Sequence, residues 1–336
     1  MSLADATANA NADTDADADA TVTRWWRAHC ARSAELKAAG ARACLGGAWA
    51  HSVGEAFALG YQEALAAALD DALAAGALAA AAVLGATGAP SPFGAAPTLR
   101  PLRSLSVTEA TGNGPRDLRA TLTRHGDGLR LRGEKRFATL ATAADELWVA
   151  AVDGTAADVS QRAPGRPEIA VVRVMRGGEG LRLTPMPPLG FVPEVSHAFV
   201  DLDVELPTSA RLPGDGWAGL VKPFGALEDA LVRAALASYL AAQGRSQGWP
   251  PALLAALEGC AEALAAFDAV SKVERQASVS LEAAMAALDA LIPAVDAAFE
   301  PSALTDWRRD QRLLQVATRR RKARLLALGP PGAASA

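Results

Sequence analysis

Only three cysteines and two tyrosines occur among 336 residues, and aromatic side chains make up 5% of the chain. Cys30, Cys44 and Cys260 are widely separated and odd in number, so neither a disulfide framework nor a zinc-ligand spacing follows from them. A reducing cytoplasm suits such a chain. His29 beside Cys30, with His51 further on, is the one hint of a metal site, and scattered histidines do not assemble a ligand set, so no metal is expected. A basic excess is missing too: 33 Lys and Arg face 37 Asp and Glu, which argues against a dedicated nucleic-acid binder. The start has no positive segment and no apolar core, so it is not read as a signal peptide. Residues 1–20 alternate Ala with Asp, Asn and Thr, a composition expected of a disordered tail. The one long apolar run, Ala64 to Leu84, is mostly alanine and is broken by Asp70 and Asp71. It reads as a buried helix of a soluble protein and not as a membrane span.

What is abundant is alanine, which supplies most of the 51% hydrophobic content. Alanine favours helix but buries little area, so helical parts must pack closely. Three folded zones follow the tail. Residues 21–100 read as an N-terminal helical domain, with Gly46–Gly47 suited to a turn and prolines at 90, 92 and 97 ending the zone. Residues 101–215 change to a period of two. Leu118 to Arg124 and Leu129 to Arg132 flank the turn His125-Gly-Asp-Gly128, a hairpin pattern. Glu146–Val152, Glu168–Val174, Leu181–Thr184 and His197–Val204 add strands, which predicts a small antiparallel β-barrel of at least six strands. Residues 216–329 return to helix, as Gly219–Gln243, Pro250–Arg275, Ser278–Phe299 and Ser302–Leu328, with Pro293 expected to kink or shorten the third. Short connections imply an antiparallel helical bundle.

Within the middle zone, Ser106-Val-Thr-Glu-Ala-Thr-Gly-Asn-Gly114 is followed by Leu131-Arg-Gly-Glu-Lys-Arg-Phe-Ala-Thr139, then Trp148-Val-Ala-Ala151, Phe199-Val-Asp-Leu202 and a Gly-Asp-Gly turn at 214–216. In this order and spacing the series resembles the flavin-binding middle domain of the acyl-CoA dehydrogenase family, whose motifs are a Thr-Glu-Pro loop and a Leu-x-Gly-x-Lys-x-Trp-x-Thr strand. The resemblance implies an α+β, acyl-CoA dehydrogenase-like fold, FAD as cofactor, and oxidation of the CH–CH group of an acyl thioester. It places Leu105, Val107 and Thr108 along the flavin, with Phe137 and Thr139 from the next strand; Phe137 stands where the family usually has tryptophan. Without the resemblance, Thr108 and Thr139 are ordinary strand hydroxyls and Phe137 a core residue.

The catalytic side departs from the pattern. The family's base is a glutamate of a Glu-Gly-Thr sequence near the last helix, and the matching positions here are Thr318 and Arg319. A threonine cannot take a proton from a thioester α-carbon. Some family members carry the base on the first helix of the C-terminal zone, which makes Glu228 the candidate here, although the aligned positions are Ala230 and Leu231. The loop after Thr108 lacks the usual serine and leaves Asn113 and Gly114 near an expected phosphate of the substrate or cofactor. Arg321, on the apolar side of a basic last helix, either packs against an acidic partner or meets a CoA phosphate. Three readings stay open: a divergent FAD-dependent oxidoreductase; a catalytically incompetent partner subunit of a heteromeric acyl-CoA dehydrogenase; and a flavin-free binding or scaffold protein. A homo-oligomer or heteromer is expected because alanine-rich helices need partners to bury area; neither nucleic acid nor membrane is expected as a partner.

Overall fold

The computed structural model describes residues 3–84, 100–155, 167–267, 275–316, 321–322 and 325–326. Internal contacts divide the chain into two compact units. One contains Met1–Ala31, Leu69–Pro188 and Glu194–Lys222; the other contains Arg32–Ala68, Leu189–Pro193 and Pro223–Ala336.

The first unit is built on a curled seven-stranded sheet: β1 Arg103–Ser106, β2 Thr121–His125, β3 Gly128–Thr139, β4 Glu146–Asp153, β5 Ile169–Met175, β6 Leu181–Pro185 and β7 His197–Leu206. The expected hairpin is present, with His125 opposite Gly128. The antiparallel expectation needs correction at β4. Strands β1 and β2 both run parallel to β4 along one of its edges, β1 against Glu146–Val149 and β2 against Val152 and Asp153. The chain from 107 to 120 therefore lies where the sheet passes from one strand to the next. Strand β1 itself went unread in the sequence because four residues are too few for a period to show. Alternation fills the interior with Leu122, Leu131, Leu147, Val149, Val172 and Val200, all fully buried.

Helix α1, Leu3–Arg32, includes the segment expected as a disordered tail, and alanine's propensity is the local reason it can be helical. Its buried side is spaced at helical intervals, with Val22, Trp26 and Cys30 four residues apart. The Trp26 indole N–H donates to the Arg100 carbonyl at 2.8 Å, tying the helix to the lead-in of β1.

The second unit packs α2 (Ala39–Trp49) and the first half of α3 (Val53–Leu84) with α4 (Lys222–Gln247), α5 (Pro251–Ala265), α6 (Arg275–Ala298), α7 (Pro301–Asp310) and α8 (Leu313–Val316). Gly46 and Gly47 lie inside α2 and form no turn. The reason is a close approach: a Cβ on Gly47 would sit 1.9 Å from the Ala235 carbonyl oxygen of α4. Helices that bury alanine must come this near to exclude water, and α2 and α3 thereby share one core with the C-terminal helices. Larger anchors are few: Tyr61 meets Phe224 edge-on at 5.5 Å, and Phe299 stacks on Trp307 at 5.6 Å.

Two helix boundaries also differ from expectation. Pro293 is inside α6, which continues to Ala298. Both Pro293 and Asp289 reach the surface, so water can serve the Asp289 carbonyl that loses its i+4 donor. The fourth helix is two pieces, because the chain turns at Gln311–Arg312 and the buried Asp310 carboxylate accepts the Val192 backbone N–H at 2.7 Å. Among the described residues, Ala277–Ala298 is the one stretch long and apolar enough to cross a membrane. The run noticed in the sequence instead contributes Ala64, Leu65, Ala68 and Leu69 to the interior.

Candidate functional site

On β3 the alternation points Leu129, Leu131, Gly133 and Lys135 to the interior, and continuing it would bury Phe137 as well. It does not continue. Lys135 pairs with Val200 of β7 and Ala138 with Ala198, so three steps on β3 match two on β7, a β-bulge. Phe137 takes a left-handed backbone conformation (φ 54°), and Ala138 takes the inward place. Arg136, Phe137 and Thr139 are thereby turned to the outer face, where Phe137 is 49% exposed. A non-glycine residue held at positive φ costs of the order of 1–2 kcal/mol, which is typical of strain kept at a functional position.

The loop after β1 lies against this bulge. The Arg136 N–H donates to the Thr108 carbonyl at 2.8 Å. Leu105 is buried on β1 opposite Trp148, whereas Val107 and Thr108 are half-buried. Among the described residues the hydroxyls of Thr108 and Thr139 have no hydrogen-bond partner within the protein. Of the sequence-derived set, the loop carrying Val107 and Thr108 is thus joined to the β3 bulge that carries Phe137 and Thr139, while Leu105 is buried on β1. The neighbouring strand adds two half-buried rings that sequence reasoning missed, His197 opposite Thr139 and Phe199 near the bulge. Burial pushes the His197 pKa down, partly opposed by its contact with the Val195 carbonyl, so the imidazole is neutral at neutral pH. The Arg136 guanidinium lies 5.8 Å from the centre of the Phe199 ring. Period-two placement on β7, opposite Ala198 and Val200, was the signal that could have found both rings.

Between the loop and the bulged strand is a buried ion pair, also unassigned from sequence. Lys135 Nζ contacts Glu109 Oε1 at 2.5 Å and the Val107 carbonyl at 3.4 Å. The Glu109 carboxylate further accepts the backbone N–H groups of Arg119 at 2.6 Å and Ala120 at 3.1 Å. Burial lowers the Lys135 pKa, and the bond to Glu109 opposes that shift. An inward lysine was legible from the alternation of β3; its partner was not.

A flavin ring asks for a flat apolar face and donors or acceptors at its edge, and the exposed Phe137 ring with two unengaged hydroxyls fits that end. The phosphate end does not fit in the same way. Asn113 is exposed and Gly114 half-buried, but the Gly114 N–H donates to the Asp117 carboxylate at 2.9 Å. That carboxylate occupies the hollow of the glycine turn, since a Cβ on Gly112 would meet Asp117 Oδ2 at 2.5 Å. A phosphate there would confront a like charge.

The remaining candidates are in the second unit. Glu228 is half-buried on α4, while its neighbour Asp229 points inward and lies 3.9 Å from Arg233. Arg233 also donates to the Leu314 carbonyl at 2.9 Å. Arg321 is paired with Glu282 at 2.9 Å and also with Asp289, both on α6 of the same chain, so a CoA phosphate would compete with two carboxylates. Asp310 pairs with Arg309 at 2.7 Å. Thr318 and Arg319 lie outside the described residues.

No protein-family model and no curated protein matches this sequence. Solved structures match in fold. PigA with FAD and proline aligns at a TM-score of 0.61 and 16% identity, over 94% of this chain and 93% of that one. Butyryl-CoA dehydrogenase from Megasphaera elsdenii aligns at 0.58 and 16% identity, over 87% and 79%. FkbI, for biosynthesis of a methoxymalonyl extender unit, aligns at 0.52 and 17% identity, over 87% and 86%. The chain has an acyl-CoA dehydrogenase-like fold, with a helical part and a curled β-sheet, as the sequence motifs led one to expect.

Proposed function

We propose that this chain is a divergent flavin-dependent oxidoreductase of the acyl-CoA dehydrogenase type, acting on the CH–CH group of an acyl thioester. The observation that carries the proposal is the β3 bulge, which turns Phe137 out of the core at a backbone cost next to Arg136, whose N–H holds the Thr108 carbonyl. That a neighbour with this fold is described with FAD bound supports the cofactor. When bound, the flavin supplies the hydride acceptor. Phe137 would cover one face of its ring, and the hydroxyls of Thr108 and Thr139 would meet its polar edge. Glu228 is the carboxylate proposed to take the α-proton.

A second reading is favoured by Thr318 at the usual base position and by the glycine turn closed on Asp117. On that reading the chain is an incompetent partner subunit, completed by a full-length acyl-CoA dehydrogenase. Either form is proposed to be oligomeric, a homo-oligomer or a heteromer, and to reside in a reducing cytoplasm in keeping with its three free cysteines.

The visible absorption spectrum of the purified chain, before and after adding FAD, is the test. Flavin bands that co-purify, or that shift on titration, support the first reading; a colourless protein that leaves added FAD unperturbed refutes it. In an active preparation, Glu228→Gln should abolish turnover, and unchanged turnover removes Glu228 from the mechanism. Activity only after co-expression with a full-length dehydrogenase selects the partner-subunit reading.

A further inference from the structure

We infer that the buried Glu109–Lys135 pair is a positioning device for the flavin ring, an inference that rests on the flavin reading above. Strands β1 and β2 follow one another along the same edge of β4, so β3 has β2 as neighbour from Gly128 to Arg132 and the 107–109 loop beyond it. At this change of neighbour, the Arg136 N–H bonds the Thr108 carbonyl, and Lys135 holds both the Val107 carbonyl and Glu109. The same carboxylate takes the N–H groups of Arg119 and Ala120, the residues that lead into β2. One side chain thus ties the end of β1, the entry of β2 and the bulge of β3 to each other.

The energetics argue that position, and not the net attraction of two charges, is what the pair provides. Lys135 has no exposed side-chain surface and Glu109 has 6%. Desolvating two charges costs about as much as their attraction returns, and an apolar pair of similar volume is often as stable. What an apolar pair cannot do is direct several backbone N–H groups and a carbonyl to one point. The spacing between Thr108 on the loop and Phe137 and Thr139 on the bulge is set across this contact. Glu109 and Lys135 are therefore positioning residues, which act through the groups that would touch the ring.

The test is the doubly substituted protein E109Q/K135M in the full chain, which removes both charges while keeping size. Its melting temperature is expected to fall, because the Gln amide offers one acceptor oxygen for the two N–H groups that the carboxylate took, so both readouts are made well below it: amide exchange at Arg136 should quicken, and FAD affinity should fall about ten-fold or more, as expected for a site that must be ordered on binding. Because the double variant can fail to fold, Glu109→Asp serves as a second probe. It keeps both charges but shortens the arm by one methylene, so the carboxylate no longer reaches Lys135 and the Arg119 and Ala120 N–H groups together; the melting temperature should fall, and FAD should bind more weakly to the protein that is folded at the assay temperature. FAD bound as tightly by folded E109Q/K135M or Glu109→Asp as by wild type overturns the inference alone. A wild-type chain that binds no FAD overturns the flavin reading, and the inference falls with it.

Discussion

Replacing Phe137 with glycine should separate folding from cofactor binding. The residue is held at φ 54°, where a side chain costs about 1–2 kcal/mol and glycine is at ease. Against that relief stands the extra backbone entropy glycine loses on folding, about 0.5–1 kcal/mol. The ring is 49% exposed, so roughly half of the 1.5–3 kcal/mol for a fully buried phenylalanine is also lost. These terms nearly cancel, and the stability of the ligand-free Phe137→Gly protein should lie within about 1 kcal/mol of wild type. FAD binding should not be spared. Losing a stacked ring removes about 0.5–1.5 kcal/mol beyond the area it covers, which together predicts a weakening of about ten- to a hundred-fold. Denaturant unfolding of the ligand-free protein and fluorescence titration with FAD measure the two quantities. A loss of 3 kcal/mol or more in stability would show that the ring is core after all; unchanged FAD affinity would show that it does not border the flavin.

Glycine at two helical positions predicts opposite signs. Gly47→Ala places a methyl 1.9 Å from the Ala235 carbonyl oxygen, with backbone on both sides, and should cost upward of about 2 kcal/mol in thermal or denaturant unfolding. Gly259→Ala, on the exposed side of α5 with nothing within 4 Å of the new methyl, should stabilise by up to about 1 kcal/mol, and equal behaviour of the two would contradict the packing described. Asp153 makes a third case. Burial alone would raise its pKa, but hydrogen bonds from Thr155 and Arg211 outweigh burial and hold it below the usual carboxylate value. Its contribution is therefore present above the unfolded-state pKa near 4 and is lost as pH falls through the lower folded-state value. Asp153→Asn should be less stable at neutral pH and lose less stability on acidification; an acid limb identical to that of wild type would show that Asp153 does not contribute to it.

Most of the β-domain was legible because alternation is a local property. A strand such as Ile169–Met175 announces itself by composition, and the hairpin at His125–Gly128 by its turn residues. Helices were legible as helices, yet their limits were not. Nothing local says that Pro293 sits where water can replace a lost donor, or that Asp310 is drawn in to receive the Val192 N–H. Gly46–Gly47 looked like a turn because the residue against which Gly47 packs, Ala235, is 188 positions away in sequence.

For the candidate site the division is sharper. The order of motifs from Ser106 to Thr139 named Thr108, Phe137 and Thr139 together, and the substitution of Thr318 for a carboxylate could be read directly. Period two taken alone would have put Phe137 in the core beside Lys135. Only the register of β3 against β7, which spends one extra residue between Lys135 and Ala138, brings the ring to the surface. The partner of Lys135 and the filling of the glycine turn by Asp117 are likewise tertiary facts. Sequence determines which chemistry the chain carries and the period of each element, because both depend on near neighbours. Which face a residue shows, and what a buried charge meets, depend on strand register and on loops that close over distance, and those were decided by the fold.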